Sequence, residues 1–392
     1  MLNRRILRVK AMQALYSYFT TQESLKDVVR ERLERQFYPD PAKDDFTESD
    51  KFTARRKDAT ALFGEHLQAR KVPVDAKADE DVITAVNNAI AEYFREINKE
   101  KRNIKQAMLG DIEEINRLYL KLLALPIELA HIEKLEKDKR QKAHIYRESP
   151  WKYHLIDNPV IDALTKFEPF SKALIDLKIS WNTDQLDQLK TWYKDILHKD
   201  EVFIEYETKA SPSEDDHKEI ILHLFKKIIF KNESVNEFLS ESDLRWSENK
   251  PILKSLVTKT FQDYEADLDP PYELKSVSKN EEDDMDFFNI IFDESLARSQ
   301  DHDALIEKKI KNWDISRVAL TDRIILKMAL TEMMMFHSIP VKVTINEFIE
   351  ISKQYSTPKS KQFVNGILDV LANELTSDGV IRKSGRGLID NK

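Results

Sequence analysis

Apolar residues recur at helical spacing along most of the chain, and the breaks between these runs map its elements. Leu7, Ala11, Ala14, Leu15 and Tyr18 share one stripe and predict a helix over residues 2–19. Residues 39–80 carry Pro39, Pro41, Pro73 and mixed charges, and read as a loop or a loosely packed insert. Periodicity returns over 81–98 through Val82, Ala85, Val86, Ala89, Ile90, Phe94 and Ile97. Residues 104–140 read as one or two long helices with Leu118, Leu122 and Leu125 inward, and Pro126 is expected to kink or restart them.

A longer pattern overlies the helical one. Phe225-Lys-Lys-Ile-Ile-Phe230 and Phe287-Phe-Asn-Ile-Ile-Phe292 agree at four of six positions, and each precedes a tryptophan, Trp246 or Trp313. Trp181 lies 65 residues before Trp246, and Trp313 lies 67 after it. Leu174, Leu239 and Ile306 stand seven residues before the three tryptophans, and Ile196, Phe261 and Met328 fifteen after. Such spacing suggests a repeated helical unit that stacks on itself, although many apolar helical positions also generate chance matches. Charged stretches at 207–218 and 265–286, the second with Pro270-Pro271 and the run Glu281-Glu-Asp-Asp284, read as linkers.

Residues 305–375 are the most clearly punctuated. The segment 317–336 is apolar almost all round (Val318, Leu320, Ile324, Ile325, Leu326, Met328, Ala329, Leu330), which marks a buried helix. Its polar positions Arg323, Lys327 and Thr331 recur every four residues and predict one narrow exposed strip, flanked by Asp322. Ser338-Ile339-Pro340 breaks the chain. Thr344-Ile-Asn-Glu347 has the spacing of a capping box opening a helix over 345–355. Ser356-Thr357-Pro358 starts a last helix with a core stripe of Val364, Ile367, Leu368, Leu371 and Leu375. From Gly379 onward the sequence is Gly-rich and basic, and 379–392 is expected to be a disordered tail.

Composition narrows the class. The 392 residues include only six Gly and no Cys, with 34% charged and 41% hydrophobic positions, a balance that favours an all-α fold over sheets. The absence of Cys removes disulfides, thiolate metal sites and a Cys nucleophile. The net charge of -8 means that nucleic acid would be met by a local basic patch, not by the whole molecule. No apolar run reaches the roughly 18 residues that span a bilayer. The start, with Arg4, Arg5, Arg8, Lys10 and no acid before Glu23, has the charge of a transit peptide but is poor in Ser.

Two clusters invite a functional reading. Arg5, Arg8, Met12 and Tyr16 line one strip of the first helix, where arginines can neutralise phosphates and Tyr can stack. Lys359, Phe363 and Gly366 share one flank of the last helix, a plausible base-stacking platform. Spacing alone favours the plainer alternatives, a solvated face and a ring that seals the core edge.

Several blocks resemble the NusB family. They are Arg4-Arg-Ile-Leu-Arg-Val-Lys-Ala-Met-Gln-Ala-Leu-Tyr16, the segment from Trp313-Asp-Ile-Ser to Glu332, Ile339-Pro-Val-Lys-Val-Thr-Ile-Asn-Glu347, and Phe363-Val-Asn-Gly-Ile-Leu368. The resemblance covers about 20 residues at the start and about 70 near the end. It implies an all-α, NusB-like helical bundle with a long repetitive helical insertion, of the long, Bacteroidetes-like form. By position, the family's RNA contacts fall on Arg4, Arg5, Arg8, Lys327, Lys359 and Phe363, and its NusE contacts on Tyr16 and Asp322. The implied partners are boxA-type RNA of nascent ribosomal transcripts, the ribosomal protein NusE and the RNA polymerase antitermination complex, with no membrane. The implied setting is cytoplasmic, with no cofactor and no metal.

On this reading residues 1–22 and 287–378 form the core and 23–286 the insertion. Two features depart from the family: the insertion has no counterpart, and Lys359 stands where some members carry an acid. An enzyme of the RNA methyltransferase type would need a catalytic Cys and a Gly-rich nucleotide loop, and neither is present. Glu128-Leu-Ala-His131 is half of a di-iron motif without its second half. A helical scaffold that binds protein partners is the other alternative.

Overall fold

A computed structural model describes residues 4–39, 49–73, 76–142, 150–276, 278, 280–310 and 315–389. Among them every regular element is helical. The chain divides into two compact units.

The first unit takes residues 4–109 and 282–392. At its centre lies α13 (Leu320–Met335), whose Ile325, Leu326, Met328, Ala329, Leu330 and Met333 are fully buried. It packs against α1 (Arg4–Arg35), α12 (Ser299–Glu307), α14 (Val341–Tyr355) and α15 (Ser360–Ser377). A helix enclosed by four others needs apolar residues on nearly all sides, as its sequence has. The helix α1 is longer than its first stripe predicts. Leu7 to Leu15 pack near its start, while Val29 and Leu33 join a second cluster with α2 (Ser49–His66) and the first part of α3 (Glu80–Lys142).

Residues 23–109 therefore lie in the same compact unit as the helices around α13. The segment expected to be a loop contains α2, which buries Ala59 and Phe63 at i, i+4. Tail residues 379–389 are folded, contrary to the expectation of disorder. Ile381 is buried, and the amides of Val380 and Ile381 donate to Leu375 O, both at 2.9 Å.

The second unit takes in residues 110–281. It holds the rest of α3, which continues through Pro126 instead of restarting there, its flanks Leu123, Leu125 and Leu129 all buried. Then come α4 (Pro159–Lys166), α5 (Glu168–Asp176), α6 (Thr183–Asp195), α7 (Glu201–Thr208), α8 (Glu214–His223), α9 (Glu233–Ser242) and α10 (Trp246–Gln262). Asn158, Asn182, Asp200, Ser213 and Asn232 cap five of these starts with side-chain oxygens that accept backbone N–H bonds. The Phe225–Phe230 block lies in a π-helical continuation of α8 over Leu224–Ile229, and Phe230 stacks on Trp246 with ring centroids 5.8 Å apart. Its partner block Phe287–Phe292 lies in α11 (Glu281–Ala297) of the first unit. Trp181 precedes α6 and Trp246 opens α10, whereas Trp313 falls outside the described residues.

Candidate nucleic-acid interface

The residues singled out from the sequence come together around α13, in three different states. Arg8 is only 3% exposed and makes a bidentate pair with Glu332, Nε to Oε2 at 2.6 Å and Nη2 to Oε1 at 2.7 Å. Thr344 Oγ1 donates to the same carboxylate at 2.8 Å. That contact explains why Thr344-Ile-Asn-Glu347 is not a capping box: Pro340 ends the break, α14 begins at Val341, and Thr344 lies one turn inside, facing α13. Glu347 accepts from Arg5 Nε at 2.8 Å and Nη2 at 2.7 Å, and lies 3.5 Å from Arg8 Nη1. The hydrogen bond from Arg5 holds the Glu347 carboxyl below the usual carboxylate range. Arg4 is exposed, with its guanidinium 5.2 Å from the centre of the Phe287 ring.

The polar strip on α13 is covered rather than exposed. Thr331 Oγ1 accepts from Ser295 Oγ at 3.0 Å, Lys327 Nζ donates to Ser299 Oγ at 2.6 Å and Asp303 Oδ2 at 2.7 Å, and Arg323 Nη2 donates to Asp303 at 3.1 Å. Ser295, Ser299 and Asp303 recur every four residues, so two helical strips zip together side chain by side chain. Lys327 is 3% exposed; burial pushes its ammonium pKa down, with Asp303 opposing the shift, and the Phe19 ring centre lies 5.1 Å from its Nζ. Burial likewise turns Asp322 inward, where its Oδ2 accepts from Ser360 Oγ at 2.7 Å and ties the start of α15 to α13. Arg8, Lys327 and Asp322, expected as RNA or partner contacts, are thus buried and hydrogen-bonded within the unit.

The remaining residues reach solvent. Tyr16 is 46% exposed on α1, Lys359 is exposed at the start of α15, and Phe363 is half-buried one turn further on. Around them, residues 351–368 contain Lys353, Lys359 and Lys361 and no acid. All three lysines are exposed, although Lys353 also pairs with Glu350 at the end of α14. Lys353 and Lys361 had a signal, the acid-free run itself, which a search for helical stripes passes over. His131 and Glu128 sit 3.6 Å apart on α3 with His131 largely exposed, and among the described residues no group of three or more His, Cys, Asp or Glu is placed to hold a metal ion. No helix among them is long and apolar enough to cross a membrane.

An all-helical domain built on a central apolar helix, with a basic and aromatic junction at its surface, is the class these features define. Residues 252–373, from within α10 into α15, match the model of the NusB family. Over 105 residues the chain is 48% identical to the transcription antitermination protein NusB of Chloroherpeton thalassium, a match covering 27% of this chain and 50% of that protein. Over 104 residues it is 46% identical to the same-named protein of Salinibacter ruber, covering 26% of this chain and 65% of that one. The chain thus spans between half and two thirds of these relatives. A solved structure of T. maritima NusB aligns at 30% identity with 40% of this chain and 90% of its own, at a TM-score of 0.22. The basic start of α1 lies outside the matched span.

Proposed function

We propose that this chain is a transcription antitermination factor that binds boxA-type RNA of nascent ribosomal transcripts, together with NusE, as part of an RNA polymerase antitermination complex in the cytoplasm. The exposed, acid-free lysine and aromatic junction between α14 and α15 carries this reading, within a domain whose relatives are named antitermination proteins. Lysines there neutralise phosphates and Phe363 offers a face on which an unpaired base stacks. Arg4 and Arg5 extend the cationic surface, Arg8 and Lys327 hold its frame, and exposed Tyr16 faces the protein partner. Asp322 acts indirectly, by fixing the start of α15 through Ser360.

The test is binding of a short boxA-type RNA, with and without NusE, across a salt series, for the wild type and a Lys359→Ala/Phe363→Ala variant. We expect tighter binding with NusE, a clear salt slope and at least a tenfold loss in the variant. Wild-type affinity in a folded variant would remove the α15 junction from the RNA surface. Absence of RNA binding by the wild type, even with NusE, would overturn the function.

A further inference from the structure

The basic C-terminal segment has no part in the function as stated, yet it is built into the first unit. Three of the six glycines lie in residues 379–387, and each has a conformational reason to be there. Gly379 and Gly385 have φ of 69° and 55°, in the left-handed region that glycine enters freely. At Gly387 a Cβ would run into the carbonyl oxygen of His337. These turns wrap residues 379–389 over the connection between α13 and α14. Ser384 N donates to His337 O at 3.0 Å, the His337 ring nitrogen Nδ1 bonds Arg382 O, and Lys383 Nζ donates to Phe336 O at 2.9 Å. The result is a strap with Arg382 and Arg386 on its exposed side.

The strap reaches the same place as the start of α1. The Phe336 ring, whose backbone carbonyl anchors Lys383, lies 4.7 Å from the Phe287 ring, and Phe287 carries the Arg4 guanidinium. Burial of the Lys383 ammonium lowers its pKa to about 8, and Glu332, the partner of Arg8, opposes that shift. Residues 379–389 hold three cations and no acid, and residues 4–22 hold four cations and no acid. Glu332 is taken by Arg8 and Glu347 by Arg5, while Asp378 directly precedes the strap. The acidic start of α11, Glu282 to Asp286, flanks Phe287 and repels phosphate on that side.

We propose that Arg382 and Arg386 form a second phosphate-binding run, continuous with Arg4 and Arg5, that takes the backbone of single-stranded RNA flanking the element bound at α15. This rests on the RNA-binding reading above. The run is sequence-independent: it adds affinity and salt dependence without reading bases.

The experiment compares the full-length wild type, Arg382→Gln/Arg386→Gln and Arg4→Gln/Arg5→Gln, by anisotropy of a labelled boxA-type RNA extended with uridines on both sides, across salt. Removing two contacts on a single strand should make the slope of log K against log salt shallower by about 1.4, with a several-fold loss of affinity at low salt. Gly387→Val, which displaces the strap without changing charge, should reproduce part of that loss. Wild-type affinity and slope in the strap variant, beside a loss in the Arg4/Arg5 variant, would overturn the strap's role and leave RNA binding standing. A wild type that binds no RNA overturns both.

Discussion

The most deeply buried acids of the two units are accommodated differently, Glu332 by a cation and Glu133 and Glu207 without one among the described residues. In the unit around α13 two buried cations meet acids, Arg8 with Glu332 and Lys327 with Asp303, while buried Asp322 accepts from Ser360. In the unit of residues 110–281, Glu133 and Glu207 are both fully buried, and neither takes a hydrogen bond from a cationic side chain among the described residues. Glu133 accepts from Tyr193 Oη at 2.8 Å and Ile156 N at 3.2 Å, and Glu207 accepts from His154 N at 2.8 Å. Burial, reinforced by Glu207, pushes the Glu133 carboxyl up to about 8, and burial raises Glu207 as well. A buried charge can be matched by an opposite charge or neutralised by a proton. The first solution is specific to geometry and indifferent to pH near neutrality. The second tolerates loose geometry and makes stability a function of pH.

The largest way to break this contrast is to unpair the first unit. Glu332→Ala leaves Arg8 as a buried charge, and we expect a loss of about 3 kcal/mol, the low end for a broken buried pair, since Glu347 lies 3.5 Å from Arg8 Nη1 and takes over in part. Amide exchange along α13 reads this loss; unchanged protection there would show that the pair contributes nothing. Second in size is Glu133→Gln. The folded chain keeps the Glu133 proton at pH values where the unfolded chain has lost it, so stability falls as pH rises from about 4.5 to about 8. The variant, neutral throughout, should be stabilised on the order of 3 kcal/mol at pH 8 and scarcely at all at pH 4. Four of the five tryptophans (Trp151, Trp181, Trp192, Trp246) belong to this unit, so denaturant melts followed by tryptophan fluorescence report on it. A variant whose stability tracks the wild type across that range would remove Glu133 as the titrating group.

The smallest effect sharpens the contrast by testing its exception. His302 in the first unit is buried, neither ring nitrogen has a hydrogen-bond partner among the described residues, and burial lowers its pKa to about 4. Between about 6.5 and 4 the unfolded imidazole takes a proton that the folded one refuses, so stability falls as pH falls through that window. His302→Leu should raise stability by about 1–2 kcal/mol at pH 5 and leave it nearly unchanged at pH 8, measured by far-UV dichroism during denaturation. An equal gain at both pH values would point to packing instead of titration.

Around α13 the all-round apolar run names a buried helix, and the family-like blocks find α1, α14 and α15. Missing was the pairing that decides which cations are free. Helical spacing puts Arg8 and Lys327 on polar strips, but only the third dimension shows Glu332 and Asp303 covering them, hundreds of residues away for Arg8 and on the preceding helix for Lys327. In residues 110–281 the short helices were announced by Asn158, Asn182, Asp200, Ser213 and Asn232, and long-window periodicity blurs elements of eight to thirteen residues. The tail looked unstructured because Gly and Arg mark loops in composition, whereas here glycines at positive φ and against His337 give a fixed shape.

The Arg8–Glu332 pair also sets a timetable. The two residues are 324 positions apart. At the usual 5–20 residues per second of synthesis, the arginine waits roughly 15–65 s for its acid. During that interval the start of α1 is a nascent amphipathic helix with unmatched positive charge, while its far end, Val29 and Leu33, already has α2 and the first part of α3 to fold against. Slowing translation between residue 109 and α13 lengthens the exposure of that basic end, so the yield of folded protein should be most sensitive to delay in this stretch.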